Sequence, residues 1–516
     1  MKKQEFTLPQ AVAHAEMLLR RGRVADGETV LARLPGTDKG VRLAQARLSY
    51  AQGDNQAAFD QTQALLKEVP ENGAAQAFLS YLWAKSGAVG KTRSYMAALQ
   101  KQAIDTADFW GNLAVVFHRG KNFQGAIQCA QRSLSHDDQC EEIWLTLGAS
   151  QREDGNPRAA ISSYFRALAL NPLRGESYQH LHVFFYEIGE FDKATHFRNI
   201  ARDCGVTGGG LDLGEAHCLL KEGNLAEGFR KYRARYQNKT ISNTRPELDI
   251  PHWQGEDLSG KRLLVYCEQG IGDVIQFARF LRDLPGRGAA VTFLCRPSLV
   301  DLMVQSFPAV TVCSKLPPGV VFDYQSYVID LVVPLDLSPD TVPYRGRYLS
   351  APACDKFGDI ATLKGPKIGF AWHGGRAHVR DHLRSIPFVS FKRLLDLPGF
   401  DWVSLQVAPN ASLPTGAHVY DVTERIGNLA DTAALIDSLD LVICVDTSIA
   451  HLAGALGKPA WVLLDQCADW RWQEGTTQSY WYDSVRLLRQ KEFGNWDQVI
   501  AEVVDALQQD QTLFSV

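Results

Sequence analysis

A period of 34 residues in the first two hundred positions constrains this chain more than any other feature. Trp110, Trp144 and Tyr178 are spaced by it, as are Ala126, Ala160 and Ala194, and Ser133, Ala167 and Ala201. The segments read "WGNLAVVFHRGKNFQGAIQCAQRSL", "WLTLGASQREDGNPRAAISSYFRAL" and "YQHLHVFFYEIGEFDKATHFRNIA". Each is an aromatic-led helix, a short turn with glycine, and a second helix with small residues where the pair must touch. Weaker copies precede them. One holds Gly53, Ala58 and Pro70 in register, with Pro70 matching Pro172, and the next keeps Gly87 above a poorer second helix. Residues 8–34 read as a degenerate cap, and "LGEAHCLLKEGNLAEGFRKYRARY" after Cys204–Gly210 reads as one further pair. A single pair cannot bury its apolar face alone, so the pattern predicts stacked pairs and a curved solenoid.

The period and the aromatic and small-residue columns resemble the tetratricopeptide-repeat (TPR) family. The resemblance implies a concave face that docks a peptide or protein. Packing on the same chain, or on a second copy, stays open as the alternative. The expected boundaries are 1–205 for the repeats and 206–245 for a further helix pair and linker.

Beyond Thr244 the period gives way to an α/β pattern. Short buried-strand candidates fall at 262–268, 289–295, 311–314 and 327–333, and after Gly365–Pro366 a second series falls at 367–372, 401–406, 441–446 and 459–464. Two series predict two doubly wound lobes, 246–362 and 363–516, with a ligand cleft beyond the C-terminal strand ends. The last helix, "WDQVIAEVVDALQQ", is a candidate to cross back and tie the lobes together.

Composition narrows the class. A net charge of −4 gives no basic field for nucleic acid or an anionic membrane. No apolar run reaches spanning length, and "MKKQEFTLPQAVAHAEM" lacks the apolar core of a secretory signal. The 10 cysteines include no CxxC pair, which reads as reduced, mostly buried thiols of a cytoplasmic protein.

Three loops follow strands and carry the chemistry. "CEQGIGDVIQFARFL" sets Gly270, Gly272 and Asp273 between a strand and a helix. "AWHGGRAHVRDHLRSIP" carries Gly374, Gly375, Arg376, His378, Arg380, His382 and Arg384, suited to clamping an anionic group such as a diphosphate. "VDTSIAHLAGALGKP" ends a strand at Asp446 and opens a helix at Thr447 and Ser448, with His451 in its first turn, a phosphate-binding pattern. Each residue has a plainer reading. Asp273, Asp446, Thr447 and Ser448 are candidate helix caps, His451 a candidate for packing on the sheet, and the arginine loop a candidate solvated surface. Three such loops at the same ends of two sheets favour a cleft site.

Other chemistries lack their signatures. There is no GxxxxGK[ST], no third glycine after the GxG at 270–272, and no GxSxG. No two aspartates are separated by one residue, which removes the metal-chelating carboxylate pair of the other nucleotide-sugar fold.

"EQGIGDVIQFARFL", "GFAWHGG…RSIP" and "VDTSIAHLAGALGKPAWVLL…DWRW…WY…LLRQ" resemble the heptosyltransferase-like glycosyltransferases of family 9 over about residues 250–510, and more closely bacterial proteins that join such a domain to TPR repeats. The resemblance implies a multidomain chain: an all-α TPR solenoid followed by an α/β GT-B fold of two Rossmann-like lobes. It implies a nucleotide-sugar donor as substrate, no cofactor and no metal at the reaction centre. By motif, Asp273 is the expected general base on the acceptor hydroxyl. Asp446, Thr447 and His451 match a donor-site motif. Thr447, Ser448 and their amides would hold phosphate, with Arg376 and Arg384 assisting and Gly374–Gly375 admitting the diphosphate.

The solenoid, and the lack of a basic membrane-facing helix, set the chain apart from lipopolysaccharide heptosyltransferases. The plan is also similar to O-GlcNAc transferases, but without their asparagine ladder: Asn112 is followed at equivalent positions by Thr146 and His180. The expected activity is inverting, metal-independent transfer to a protein acceptor, such as flagellin or another surface protein, recruited by the repeats. A scaffold with an inactive transferase domain, and transfer to a glycolipid or polysaccharide, are the alternatives.

Overall fold

The computed structural model describes residues 6–88, 104–237, 248–316, 318–375, 380–407, 413 and 418–509. The chain forms two compact units, Met1–Phe185 with His196–Val206, and Tyr186–Thr195 with Thr207–Val516.

The first unit is helical throughout its described residues. The predicted pairs are present as Ala107–Arg119 with Phe123–His136, Glu141–Glu153 with Pro157–Leu170, and Gly175–Glu187 with Phe191–Asp203. Leu8–Arg20 with Val24–Leu31, and Lys39–Ala51 with Asn55–Glu68, precede them. Gly73–Lys85 follows, and the second helix expected after it lies outside the described residues. The column residues Ala126, Ala160 and Ala194 are fully buried, because only a small side chain lets paired helices touch there. The tryptophans sit at the rim of each pair: Arg132 lies 4.5 Å over the Trp110 ring and Arg166, one period on, 6.0 Å over Trp144.

The turns repeat as strictly as the helices. Residues with positive φ occur at Gly53, Gly87, Lys121, Gly155, Gly189 and Gly223, 34 apart, all glycine except Lys121. The next residue caps the second helix where it is Asp54, Asn122, Asn156 or Asn224, each accepting from a backbone N–H three residues on. Such a cap contributes about 1 kcal/mol. The last positions of this series, Gly189 and Gly223, belong to the second unit.

The second unit holds two all-parallel sheets. β1 (Arg262–Tyr266), β2 (Ala290–Leu294), β3 (Thr311–Cys313) and β4 (Tyr324–Tyr327) pair in the order β3-β2-β1-β4. β5 (Lys367–Ala371), β6 (Asp401–Ser404), β7 (Val419–Tyr420), β8 (Leu441–Val445), β9 (Ala460–Leu464) and β10 (Val485–Arg489) pair as β10-β9-β8-β5-β6-β7. The strand order reverses beside β1 in the first sheet and between β5 and β8 in the second, and crevices open at such reversals. β8 and β9 are buried at every residue, as parallel strands covered on both faces must be.

Two expectations need correction. The apolar run 327–333 is not a strand: β4 ends at Tyr327 and Ile329–Leu335 is a 3₁₀ helix. An apolar run buried on all sides fits either state, and only the packing decides. The final helix, Trp496–Gln509, does not tie the lobes. Its buried face, Trp496, Val499, Ile500 and Val503, joins the core on one side of the second sheet, beside Phe391 and Leu394.

The helix pair after residue 206, Gly209–Lys221 and Leu225–Tyr232, belongs to the second unit. Its Leu220, Leu225 and Phe229 share one core with β1 and the helices around it. No described helix is long and apolar enough to cross a membrane.

Candidate functional site

β1 delivers the glycine loop. After Tyr266 come Cys267, the buried Glu268, and Gln269 in the left-handed region at φ 55°. Gly270 then opens the helix Ile271–Phe277. Asp273 does what the plainer reading predicts: its Oδ2 accepts from the Gly270 N–H at 2.8 Å, capping the helix from within. Its Oδ1 accepts from Arg471 Nη2, on the loop after β9. Arg471 also donates to Asp469 Oδ1 at 2.6 Å and to Gln276 Oε1 at 2.8 Å, and lies 4.1 Å from the Trp470 ring. Arg471 holds the Asp469 carboxyl well below the usual carboxylate range, against the opposing pull of burial.

Gly272 lets the two lobes meet. A β-carbon on it would lie 2.8 Å from His451 Cδ2 and 3.6 Å from Ser448 Cα, so a side chain would push the helices apart. His451 is buried, stacks on Trp472 with ring centres 5.2 Å apart, and shares a hydrogen bond of 2.9 Å between Nδ1 and the Tyr482 hydroxyl. Loss of water, then the Arg471 charge, pushes its pKa down to about 3, so the ring is neutral.

β8 delivers the third loop. Thr447 caps the helix Ser448–Ala455, its hydroxyl accepting from Ile449 N–H at 3.3 Å. The Asp446 carboxyl is pushed up to about 6, first by desolvation and then by Asp469, against the pull of Arg384. Arg384 donates through Nη1 to the Asp446 carbonyl at 2.9 Å and packs on Gly374, where a β-carbon would lie 2.4 Å from its Nη2. The second loop is thereby fastened to the third. Arg380 turns inward, donating to Asp465 and to the Cys467 carbonyl. Arg376 and His378 lie outside the described residues.

These loops share a cavity of about 870 Å³. Ile271 of the glycine helix, Gly374, Gly375, Thr447 and Ser448 all line it. Gln406 and Asn428, two further polar residues of its lining, were missed from the sequence. Gln406 Oε1 accepts from the N–H groups of Trp372 and His373, each at 3.1 Å, which fixes the start of the second loop. Its position just past β6 was a signal available in the sequence. Arg471 was also missed as a partner of Asp273, although "DWRW" was visible. Among the described residues, no three His, Cys, Asp or Glu side chains gather as metal ligands.

The first unit has a cavity of its own, about 420 Å³, lined by Asn112 and by matched charges. Arg20 reaches Asp108 at 2.7 Å, Arg47 reaches Glu16 and Asp108 at 2.5 and 2.6 Å, and Lys85 reaches Glu142 at 2.7 Å.

The model of glycosyltransferase family 9 (heptosyltransferase) matches residues 414–465, the segment with Asp446, Thr447, Ser448 and His451. Protein FlbA of Caulobacter vibrioides is 25% identical over 528 residues, covering 94% of this chain and 87% of its own. The peroxisomal targeting signal receptor of Eremothecium gossypii is 25% identical over 148 residues, covering 28% of this chain and 25% of its own. Among solved structures, a thermophilic TPR protein of Thermus thermophilus is 21% identical, with TM-score 0.30, covering 36% of this chain and 100% of its own. PilW, a type IV pilus biogenesis factor, is 16% identical, with TM-score 0.33, covering 39% and 93%. The chain is thus similar to glycosyltransferase family 9 over residues 414–465, which follow an array of TPR-like repeats, and to FlbA through most of its length.

Proposed function

We propose that the second unit transfers a sugar from a nucleotide-linked donor to an acceptor hydroxyl, with inversion and without a metal. The observation that carries this reading is the shared cavity: the glycine helix of one sheet and the loops that follow β5 and β8 of the other line the same space. The donor diphosphate would lie against Gly374–Gly375 and the N-terminus of the helix at Ser448, where the helix dipole favours negative charge. Arg384, which also pairs with Asp381 at 3.3 Å, would add positive charge. Asp273 would take the acceptor's proton as its oxygen attacks the anomeric carbon. The bond from that carbon to the phosphate oxygen breaks, and the electron pair leaves with the nucleoside diphosphate, whose charge the amides and Arg384 stabilise.

The repeats would recruit a protein acceptor. The charge-lined cavity of the first unit supports this, since a partner's polar chain can exchange ion pairs there. One observation bears on a scaffold with a silent transferase domain instead: each Asp273 oxygen already accepts one hydrogen bond, so an acceptor hydroxyl would have to share the carboxylate with Gly270 and Arg471.

A thermal-shift panel of UDP, GDP, CMP and ADP, with their sugars, on the native chain and Asp446→Ala tests the donor site. A selective rise in melting temperature that the variant loses is expected. Failure of every nucleotide to shift the native chain overturns the transferase reading in favour of the scaffold. Deletion of residues 1–174, which leaves the second unit whole, is expected to abolish transfer to the acceptor while sparing the nucleotide shift.

A further inference from the structure

The helix pair after the repeats touches both loops that meet at Asp273. Arg235, in the 3₁₀ turn Arg233–Gln237 that ends the pair, is 1% exposed. Its guanidinium forks onto Glu268, Nε to Oε2 at 2.8 Å and Nη2 to Oε1 at 2.5 Å, and Nη2 reaches Asp330 Oδ1 at 2.7 Å. Glu268 stands two residues before Gly270. Between them Gln269 sits in the left-handed region, which an ordinary side chain holds only where its surroundings fix it. The Tyr232 hydroxyl, from the same pair, donates to Gln269 Oε1 at 3.2 Å.

The other end of the pair reaches the other loop. Lys221 Nζ, buried, donates to the Ala468 carbonyl and pairs with Glu474 Oε1 at 2.7 Å. Those residues flank Asp469 and Arg471. Phe229 fills the space between, with its ring centre 5.6 Å from Phe277 of the glycine helix and 5.6 Å from Trp470. A bidentate arginine fixes direction as well as distance, which a lysine cannot reproduce.

We propose that the helix pair Gly209–Tyr232 with its 3₁₀ turn is a buttress of the active site, and that Arg235 and Lys221 are positioning residues, the first for the glycine loop and the second for the loop of Arg471. Its bearing on catalysis rests on the reading of Asp273 as the base. The pair keeps the form of a repeat but serves the chemistry.

Amide hydrogen exchange on the full chain, read by mass spectrometry, tests it without any ligand. Arg235→Gln is expected to speed exchange across 268–274 about ten-fold or more, while 468–474 exchanges as in the native chain. Arg235→Lys, which keeps the charge but not the fork, is expected to recover part of the protection. Lys221→Met is expected to loosen 468–474 and spare 268–274. Should Arg235→Gln fail to fold, Tyr232→Phe removes one hydroxyl and is expected to loosen 268–274 alone. Native exchange in 268–274 for the Arg235 and Tyr232 variants overturns the proposal, as does equal loosening of both loops in every variant. A variant whose glycine loop loosens while donor-dependent transfer holds its native rate leaves the buttress standing and removes Asp273 from the chemistry.

Discussion

Asp273 and Arg471 form an ion pair between the loop that follows β1 and the loop that follows β9. The pair orients the carboxylate before any ligand arrives, since its other oxygen is held by the Gly270 N–H. Arg471 is divided between Asp273, Asp469 and Gln276, so one cation serves two carboxylates. Any further donor to Asp273 meets a carboxylate whose direction is already set.

Replacing Asp273 by Asn keeps an acceptor for Gly270 and removes the charge. Transfer is expected to fall about a thousand-fold, the scale of a lost general base. The nucleotide-induced rise in melting temperature is expected to stay at its native size. Rates and thermal shifts taken on one preparation check both halves, and native turnover would exclude Asp273 as the base.

Gly272→Ala introduces a methyl group 2.8 Å from His451 Cδ2. The buried ring, fixed by Trp472 and Tyr482, has little room to give. The variant is expected to lose about 2 kcal/mol in urea unfolding. Its amides in the helix Ser448–Ala455 are expected to exchange faster than in the native chain.

Asp446 carries a stability signature in pH. Its folded pKa, about 6, lies above the unfolded value, so the native state binds the extra proton between roughly pH 4 and 6. Stability from this group is therefore fully present at the acid end and is lost as pH rises through 6. Asp446→Asn is expected to melt higher than the native chain at pH 7.5, with the difference closing toward pH 4. A constant difference across that range would show that the group is not raised.

The solenoid carries the opposite dependence. Burial pushes His118 and His180 down to about 4, and His180 stacks on Tyr164 with ring centres 5.3 Å apart. Both bind their proton more readily when unfolded, so the first unit loses stability as pH falls from about 6.5 to 4. His180→Phe keeps the stack and is expected to flatten that acid limb in urea melts followed by exchange in Gly175–Phe185. An unchanged limb would assign the acid sensitivity to other groups.

The repeat was legible because each copy restates one turn, one cap and one small-residue contact. β1, β2, β3, β5, β6, β8 and β9 were legible as short apolar runs. β10 was not, since Arg486 and Arg489 interrupt it and its burial comes from β9 on one side. β4 was misplaced because its buried residues include Gln325 and Ser326, while the apolar run beside it is helical. The three loops were visible from strand ends and glycines. Which side chains they present to one another was not. Arg471 meets Asp273 across 198 positions of chain, and that meeting depends on how Gly272 seats against His451.

Residues with positive φ keep step at 34 from Gly53 to Gly223, and the last of them turns the helix pair that holds Arg235 and Lys221. One spacing thus persists through a change of surroundings: the turn that elsewhere joins helices stacked on helices here joins a pair whose apolar face packs into the core around β1.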